Sequence, residues 1–96
     1  QKEDLPELML KYEFAMETLN TQINILLKEF EFIHHYNPVE HIKSRIKTEE
    51  TALNKLARKG YEPTLNNIVL HVHDMIGIRI VCSFVIFIHL HFYNNQ

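Results

Sequence analysis

A short central segment carries cationic and hydroxyl side chains at spacings that could bind phosphate. Arg45 and Lys47 lie two residues apart, as on one face of a strand. Thr51, Lys55 and Arg58 follow at steps of four and three, as on one face of a helix. A strand face and a helix face joined by a tight turn can converge, and their guanidinium and ammonium groups suit a triphosphate. The alternative is a solvated basic surface, which Lys and Arg commonly form.

An acidic residue, Asp74, lies shortly before Gly77 and Arg79. Near a phosphate site a carboxylate can hold Mg²⁺, which proteins bind through one or two carboxylates together with substrate phosphates. Asp is also common in turns, because its side chain hydrogen-bonds to nearby backbone. The residue types leave both roles open for Asp74.

The elements that position these residues begin with a long helix. Apolar residues recur every three or four positions over 5–35, which predicts an amphipathic helix with Asp4 as its N-cap. We expect this apolar stripe to pack in the core. The stripe consists of Leu8, Tyr12, Ala15, Leu19, Ile23, Leu26, Phe30 and Ile33.

The period then changes to two over 42–47, which predicts a strand with one apolar and one cationic face. A second helix is expected over 49–59, between an N-cap at Thr48 and a stop at Gly60. A short helix from Leu65 to about His73, a turn over 74–77 and a strand over 78–84 complete the pattern.

Composition excludes several classes of protein. The 96 residues form one domain at most, and 46% hydrophobic with 23% charged residues is ordinary globular composition. The net charge of −2 argues against a duplex DNA binder, although residues 40–60 carry a local excess of positive charge. The acidic start does not resemble a signal peptide, and the apolar run over 80–93 is too short and interrupted to span a membrane. The single Cys82 fits a reducing compartment, so we expect a cytoplasmic protein without a membrane partner.

Together these residues resemble the RelA/SpoT family of alarmone synthetases. The resemblance rests on the pattern Arg45-Ile46-Lys47-(x)3-Thr51-(x)3-Lys55-(x)2-Arg58, followed by Asp74-Met75-Ile76-Gly77-Ile78-Arg79. The run from Tyr36 to Arg45 is similar to the small single-domain synthetases, and the likeness covers about residues 10–84. It implies an α+β, nucleotidyltransferase-like fold. In that fold the long N-terminal helix packs with a mixed β-sheet and flanking helices, and the sheet is incomplete in this chain.

The resemblance also implies a reaction, in which pyrophosphate passes from ATP to the 3′-hydroxyl of GTP or GDP. Arg45 and Arg79 would stack on the two sides of adenine, and Asp74 would be the catalytic residue that binds Mg²⁺. The ATP phosphates would be held by Lys47, Thr51, Lys55 and Arg58. Small synthetases form oligomers, so the resemblance implies a homo-oligomer.

The chain departs from the family pattern in three places. Thr51 replaces a usual Ser, and Ile76 replaces a common Ala. After Phe84 the family's polar helix, its G-Y-x-S-L-H segment and a second essential Glu have no counterpart, and no acidic residue follows Asp74. We therefore expect a truncated domain that carries mainly the ATP half. It would comprise an N-terminal helix (1–38), an ATP-binding strand-helix-strand region (39–84) and a divergent apolar tail (85–96).

Two other functions remain open from the sequence. The pairs His71-x-His73 and His89-x-His91, with Cys82 between them, could form a metal-binding module, because two His two apart on a strand share a face. The apolar tail could instead mark a catalytically inactive nucleotide-binding or oligomerisation fragment, since a long apolar edge strand invites pairing with another chain.

Overall fold

The computed structural model describes residues 4–82 and 85–90. In chain order the elements are helix α1 (Leu5–His34), strand β1 (His41–Ile46), helix α2 (Glu49–Lys59), helix α3 (Leu65–His71), strand β2 (Ile76–Val81) and strand β3 (Val85–Leu90). The predicted α+β arrangement is confirmed, with a long N-terminal helix, a small sheet and two flanking helices.

Helix α1 begins where the sequence predicted. The Asp4 carboxylate accepts a hydrogen bond from the backbone N–H of Glu7 at 2.9 Å, and Pro6 occupies the first turn, where a missing N–H is harmless. The helix ends at His35, whose φ of 64° is left-handed and whose N–H bonds to the Glu31 carbonyl. Both ends are therefore fixed by local chemistry.

Only part of the apolar stripe on α1 lies in the core, contrary to our expectation. Leu8 and Tyr12 are buried, whereas Leu26 is 63% exposed and Ile33 is 65% exposed. The reason is length: thirty helical residues span about 45 Å, whereas a six-residue strand spans about 20 Å. The second half of α1 extends beyond the sheet that the first half covers, and Leu26, Phe32 and Ile33 are exposed there.

The sheet has the order β1-β2-β3, and both of its described pairings are antiparallel. Ile46 lies opposite Ile76, so β2 begins two residues earlier than the predicted strand and Gly77 lies inside it rather than in a turn. Strand β2 ends at Val81, and β3 pairs with it after residues 83–84, which are outside the described part. The start of the tail therefore forms the third strand of the sheet.

Helices α2 and α3 are capped by threonines. The Thr48 hydroxyl accepts from Thr51 N–H at 3.1 Å, and Thr64 caps α3 in the same way at Asn67. Gly60 ends α2 with a φ of 82°, a conformation that glycine adopts without strain, so the predicted bounds of α2 are confirmed. Helix α3 is shorter than predicted and stops at His71.

One apolar core joins α1, α2, α3 and the even-numbered face of β2. Its buried members are Leu8, Tyr12, Ala52, Leu56, Ile68, Val72, Met75, Ile76 and Ile78. Because side chains alternate along a strand, the odd-numbered face of the sheet points away from this core. None of the described helices is long and apolar enough to cross a membrane.

Candidate functional site

Two lysines from different elements hold one carboxylate. Lys47 follows β1 directly, and its Nζ lies 3.3 Å from Asp74 Oδ2. Lys55 on α2 donates to Asp74 Oδ1 at 2.8 Å. The backbone N–H of Lys47 also bonds to the Met75 carbonyl at 2.8 Å, which extends the β1–β2 ladder and places Lys47 beside Asp74. We call these three side chains the lysine–aspartate cluster.

The charge state of the cluster follows from its contacts. Burial alone would raise the pKa of Asp74, but the hydrogen bond from Lys55 and the charge and hydrogen bond of Lys47 together lower that pKa to about 2. Asp74 is therefore ionised at neutral pH. With two lysines and one carboxylate the cluster carries a net positive charge, and the Lys47 side chain is only 9% exposed.

A second group of cations lies on the open, odd-numbered face of the sheet. A pocket of about 430 Å³ is lined there by residues from all three strands, and we call it the sheet pocket. Its lining residues are Lys43, Ser44, Arg45, Gly77, Ile78, Arg79 and His89. The sheet pocket therefore brings Arg45 and Arg79 together, as the resemblance implied for an adenine site.

The register of the sheet explains this arrangement. Arg45 lies directly opposite Gly77, and Lys43 lies directly opposite Arg79. Gly77 has no side chain at the base of the pocket. A Cβ at this position would lie 3.7 Å from Arg45 Nε and 3.8 Å from His89 Cδ2, so the space between these two side chains is left unfilled. Space above Gly77 is thus bordered by an arginine on one side and a histidine on the other.

The cations of the sheet pocket are not neutralised as those of the cluster are. Among the described residues Lys43, Arg45 and Arg79 form no ion pair. Like charges directly opposite each other across two strands, as in Lys43 and Arg79, are destabilising. Uncompensated cations around a concave surface favour an anionic ligand, and guanidinium planes also stack on aromatic rings.

Two predicted phosphate ligands, Thr51 and Arg58, make no described contact with Asp74 and do not line the sheet pocket. Thr51 lies in the first turn of α2, where its backbone N–H bonds to Thr48 and its hydroxyl accepts from the Thr48 hydroxyl at 2.8 Å. Arg58 is exposed in the last turn of α2 and forms no hydrogen bond or ion pair with the described residues. Helix α2 thus brings Lys55 to Asp74, whereas Thr51 and Arg58 lie toward its two ends.

The sequence did not predict Lys43 and His89 as site residues, although both line the sheet pocket. Lys43 could have been included, because it precedes Arg45 by two residues and so shares its strand face. His89 could not, because its position depends on the register between β2 and β3, and the sequence contains no motif that specifies that register.

The alternative of a metal-binding module finds no support in the described residues, where no three His, Cys, Asp or Glu side chains are grouped to hold a metal. His71 is the last residue of a helix rather than part of a strand, and its ring stacks on Tyr61 at 3.8 Å. His73 bonds to the Leu70 carbonyl at 3.0 Å. The two rings therefore have separate contacts, and His91 lies outside the described residues.

Comparisons with known proteins test the resemblance and the fold. The chain is 46% identical over 83 residues to GTP pyrophosphokinase YwaC of Bacillus subtilis (strain 168), an alignment that covers 86% of this chain and 40% of the relative. The chain is homologous to the small alarmone synthetases. The crystal structure of small alarmone synthetase 2 from Bacillus subtilis superposes with a TM-score of 0.66 at 41% identity, over 85% of this chain and 39% of that one. No family profile matches the chain.

The predicted resemblance to alarmone synthetases is thereby confirmed, and so is the predicted fold. The chain spans about two fifths of the length of these synthetases. The residue roles that the resemblance implied remain predictions.

Proposed function

We propose that this chain carries the ATP half of a (p)ppGpp synthetase, which transfers pyrophosphate from ATP to the 3′-hydroxyl of GTP or GDP. One observation supports this most strongly: the sheet pocket, with Arg45 and Arg79, lies on the same strand face that leads into the lysine–aspartate cluster. Lys47 is two residues beyond Arg45, a step of about 7 Å along a strand. A nucleoside triphosphate can therefore place its base on one group and its phosphates on the other.

In this proposal the sheet pocket binds the adenine ring. The guanidinium groups of Arg45 and Arg79 are planar, weakly hydrated and carry no ion pair among the described residues, so both can stack on a purine. The bare backbone at Gly77 lets the ring approach the sheet closely. Stacking of a base on an aromatic side chain contributes about 1–3 kcal/mol to binding, and we expect a similar scale for stacking on a guanidinium group.

The phosphates are assigned to the cations near the end of β1. Lys47 and Lys55 already converge on one oxygen-bearing group, Asp74, at 3.3 and 2.8 Å. A phosphate oxygen has the same charge and acceptor chemistry as that carboxylate, so both ammonium groups are positioned to bind it. Thr51 can donate its hydroxyl proton to a phosphate, and Arg58 extends the positive charge along α2.

The charge and exposure of the Asp74 carboxylate fit a Mg²⁺ ligand. The Asp74 carboxylate is ionised and 26% exposed, which suits a hard cation that keeps several oxygen ligands from substrate and water. When bound, Mg²⁺ would neutralise charge on the phosphates that are transferred. Asp74 would hold it, while Lys47 and Lys55 turn from the carboxylate to the phosphates.

The acceptor half of the reaction is not assigned to residues of this chain. No acidic residue follows Asp74, and the chain spans about two fifths of its relatives. Phosphoryl transfer depends chiefly on positioning and charge neutralisation. We therefore expect residues 1–96 alone to bind ATP but to transfer pyrophosphate to GTP or GDP poorly.

The wider setting is part of the same proposal. A synthetase of this kind would act in the cytoplasm during the stringent response, with neither DNA nor membrane as a partner, and would assemble as a homo-oligomer. Exposed apolar side chains on the second half of α1 support assembly, because Phe32 is 83% exposed and Leu26 and Ile33 are each more than 60% exposed.

Titration calorimetry with Mg·ATP tests the proposal. Arg79→Ala should weaken binding about tenfold or more, because it removes one stacking plane. Lys28→Ala, which removes an exposed charge on α1, should leave the affinity unchanged. Equal affinity of the wild type and Arg79→Ala would contradict the adenine site. Radiolabelled transfer to GTP by residues 1–96 at the rate of a full synthetase would contradict the assignment of only the ATP half.

A further inference from the structure

Strand β3 contributes a residue, His89, to the sheet pocket. This strand follows the part of the sequence, about residues 10–84, that resembles the alarmone synthetases. His89 is directly opposite Gly77 in the register of β2 and β3, and Arg45 is directly opposite Gly77 on the other side. The three residues therefore form one row across the sheet. The imidazole of His89 is exposed and lines the pocket.

Distances define the space between the two side chains. A Cβ on Gly77 would lie 3.7 Å from Arg45 Nε and 3.8 Å from His89 Cδ2, which are ordinary contact distances. Because Gly77 has no Cβ, the volume between Arg45 and His89 is open. A flat group that enters this space edge-on toward the Gly77 backbone has the Arg45 guanidinium on one face and the His89 imidazole on the other.

The position of this row separates it from the phosphate cations. The lysine–aspartate cluster joins Lys47, which follows β1, to Asp74, which precedes β2. His89 lies instead at the level of Arg45, one step of about 7 Å from Lys47 along the strand direction. A ligand whose phosphates occupy the cluster therefore presents its base, rather than its phosphates, to His89.

We propose that His89 is a nucleotide-contacting residue that packs against the purine ring held by Arg45 and Arg79. This inference rests on the proposed function. It gives strand β3 a role in binding, since without β3 the pocket would lack one of its walls. A histidine ring is suited to the contact because it is planar and stacks on bases.

Binding of two probes, ATP and inorganic tripolyphosphate, tests the proposal in the full chain. His89→Ala should weaken ATP binding roughly tenfold, whereas His89→Phe, which keeps a planar ring, should retain most of the affinity. Neither variant should change the affinity for tripolyphosphate. His41→Ala is the matched control, since His41 is exposed on the same sheet face but does not line the pocket.

Modification of the unaltered protein with diethyl pyrocarbonate gives a second test that does not depend on the folding of a variant. ATP should protect His89 from modification, measured by mass spectrometry, and should leave His41 reactive. Unchanged ATP affinity in His89→Ala, equal loss for tripolyphosphate, or absent protection would each overturn the role of His89. If Arg45→Ala lowers ATP affinity in the same series, ATP binding in the sheet pocket is supported even when the role of His89 is not. If the wild type binds no ATP, both the proposed function and the role of His89 are wrong.

Discussion

The lysine–aspartate cluster and the sheet pocket are both cationic, but their charges are balanced differently. In the cluster, Lys47 and Lys55 each contact Asp74, and the Lys47 side chain is 9% exposed. In the sheet pocket, Arg45 and Arg79 are exposed and form no ion pair with the described residues. The cations of the cluster share one carboxylate, whereas the arginines of the sheet pocket have no anionic partner among the described residues.

This difference decides which substitutions also change stability. Removing the carboxylate from the cluster leaves a buried cation without a partner, which costs folding free energy. Removing the exposed Arg79 from the pocket costs little, because its side chain is open to solvent and its charge lies opposite that of Lys43. Substitutions in the cluster should therefore change both stability and ATP binding, whereas substitutions in the sheet pocket should change ATP binding with little effect on stability.

The largest expected effect is on stability. Asp74→Ala should lower the free energy of unfolding by about 3 kcal/mol, because Lys47 is left buried and unpaired. Arg79→Ala, the matched removal of a charge from the pocket, should change it by less than about 0.5 kcal/mol. Urea unfolding of both variants measures this comparison. Similar losses in the two variants would show that the pocket is as structurally important as the cluster.

The next largest effect is that acid should lower the free energy of unfolding, because it protonates Asp74 in the cluster. The pKa of Asp74 is about 2 in the folded chain and 3.8 without the fold, so the unfolded chain binds more protons between these values. The resulting stabilisation, about 2 kcal/mol, is complete above pH 4 and is lost as the pH falls through 2. Urea unfolding at pH 5, 4, 3 and 2 should show the wild type losing its advantage over Asp74→Asn. A constant difference would contradict the ion pairs.

A substitution at Gly77 should change ATP binding in the sheet pocket without changing the cluster. Gly77→Val should weaken Mg·ATP binding about tenfold, near 1.4 kcal/mol, because its methyl groups fill the space between Arg45 and His89. The free energy of unfolding should not fall, since Val is favoured in strands. Gly77→Ala is the control, because a single Cβ meets its neighbours at ordinary contact distance. Calorimetry that finds full affinity in Gly77→Val would place ATP elsewhere.

The smallest effect concerns repulsion inside the pocket. Lys43→Glu should raise the free energy of unfolding by about 0.5 kcal/mol, because it replaces a like-charge pair with Arg79 by an opposite-charge pair. The same change should weaken ATP binding, because it lowers the positive charge of the pocket. Lys43→Gln should stabilise less. A loss of stability in Lys43→Glu would show that the cations are already compensated.

Sequence patterns predicted the elements well where local chemistry determines them. The bounds of α2 followed from Thr48 and Gly60, and the start of α1 followed from Asp4. Patterns failed where tertiary packing decides the outcome. The exposed half of α1 could not be predicted, because periodicity shows which face is apolar but not whether a sheet is long enough to cover it.

The candidate site shows the same limit. The resemblance singled out Arg45 and Arg79, and the structure places them in one pocket. The ion pairs of Asp74 with two lysines depend on how β1 and β2 align, and His89 depends on the pairing of β2 with β3. Residues brought together by strand register leave no local signal in a single sequence.

Photo-crosslinking with 8-azido-ATP tests the central claim most directly, because the reactive group lies on the adenine ring. Mass spectrometry should find adducts in β1, β2 or β3, on residues that line the sheet pocket, and excess ATP should suppress them. Gly77→Val should label weakly at the same positions. Adducts confined to helix α1, or labelling that excess ATP does not reduce, would contradict an adenine site on the open face of the sheet.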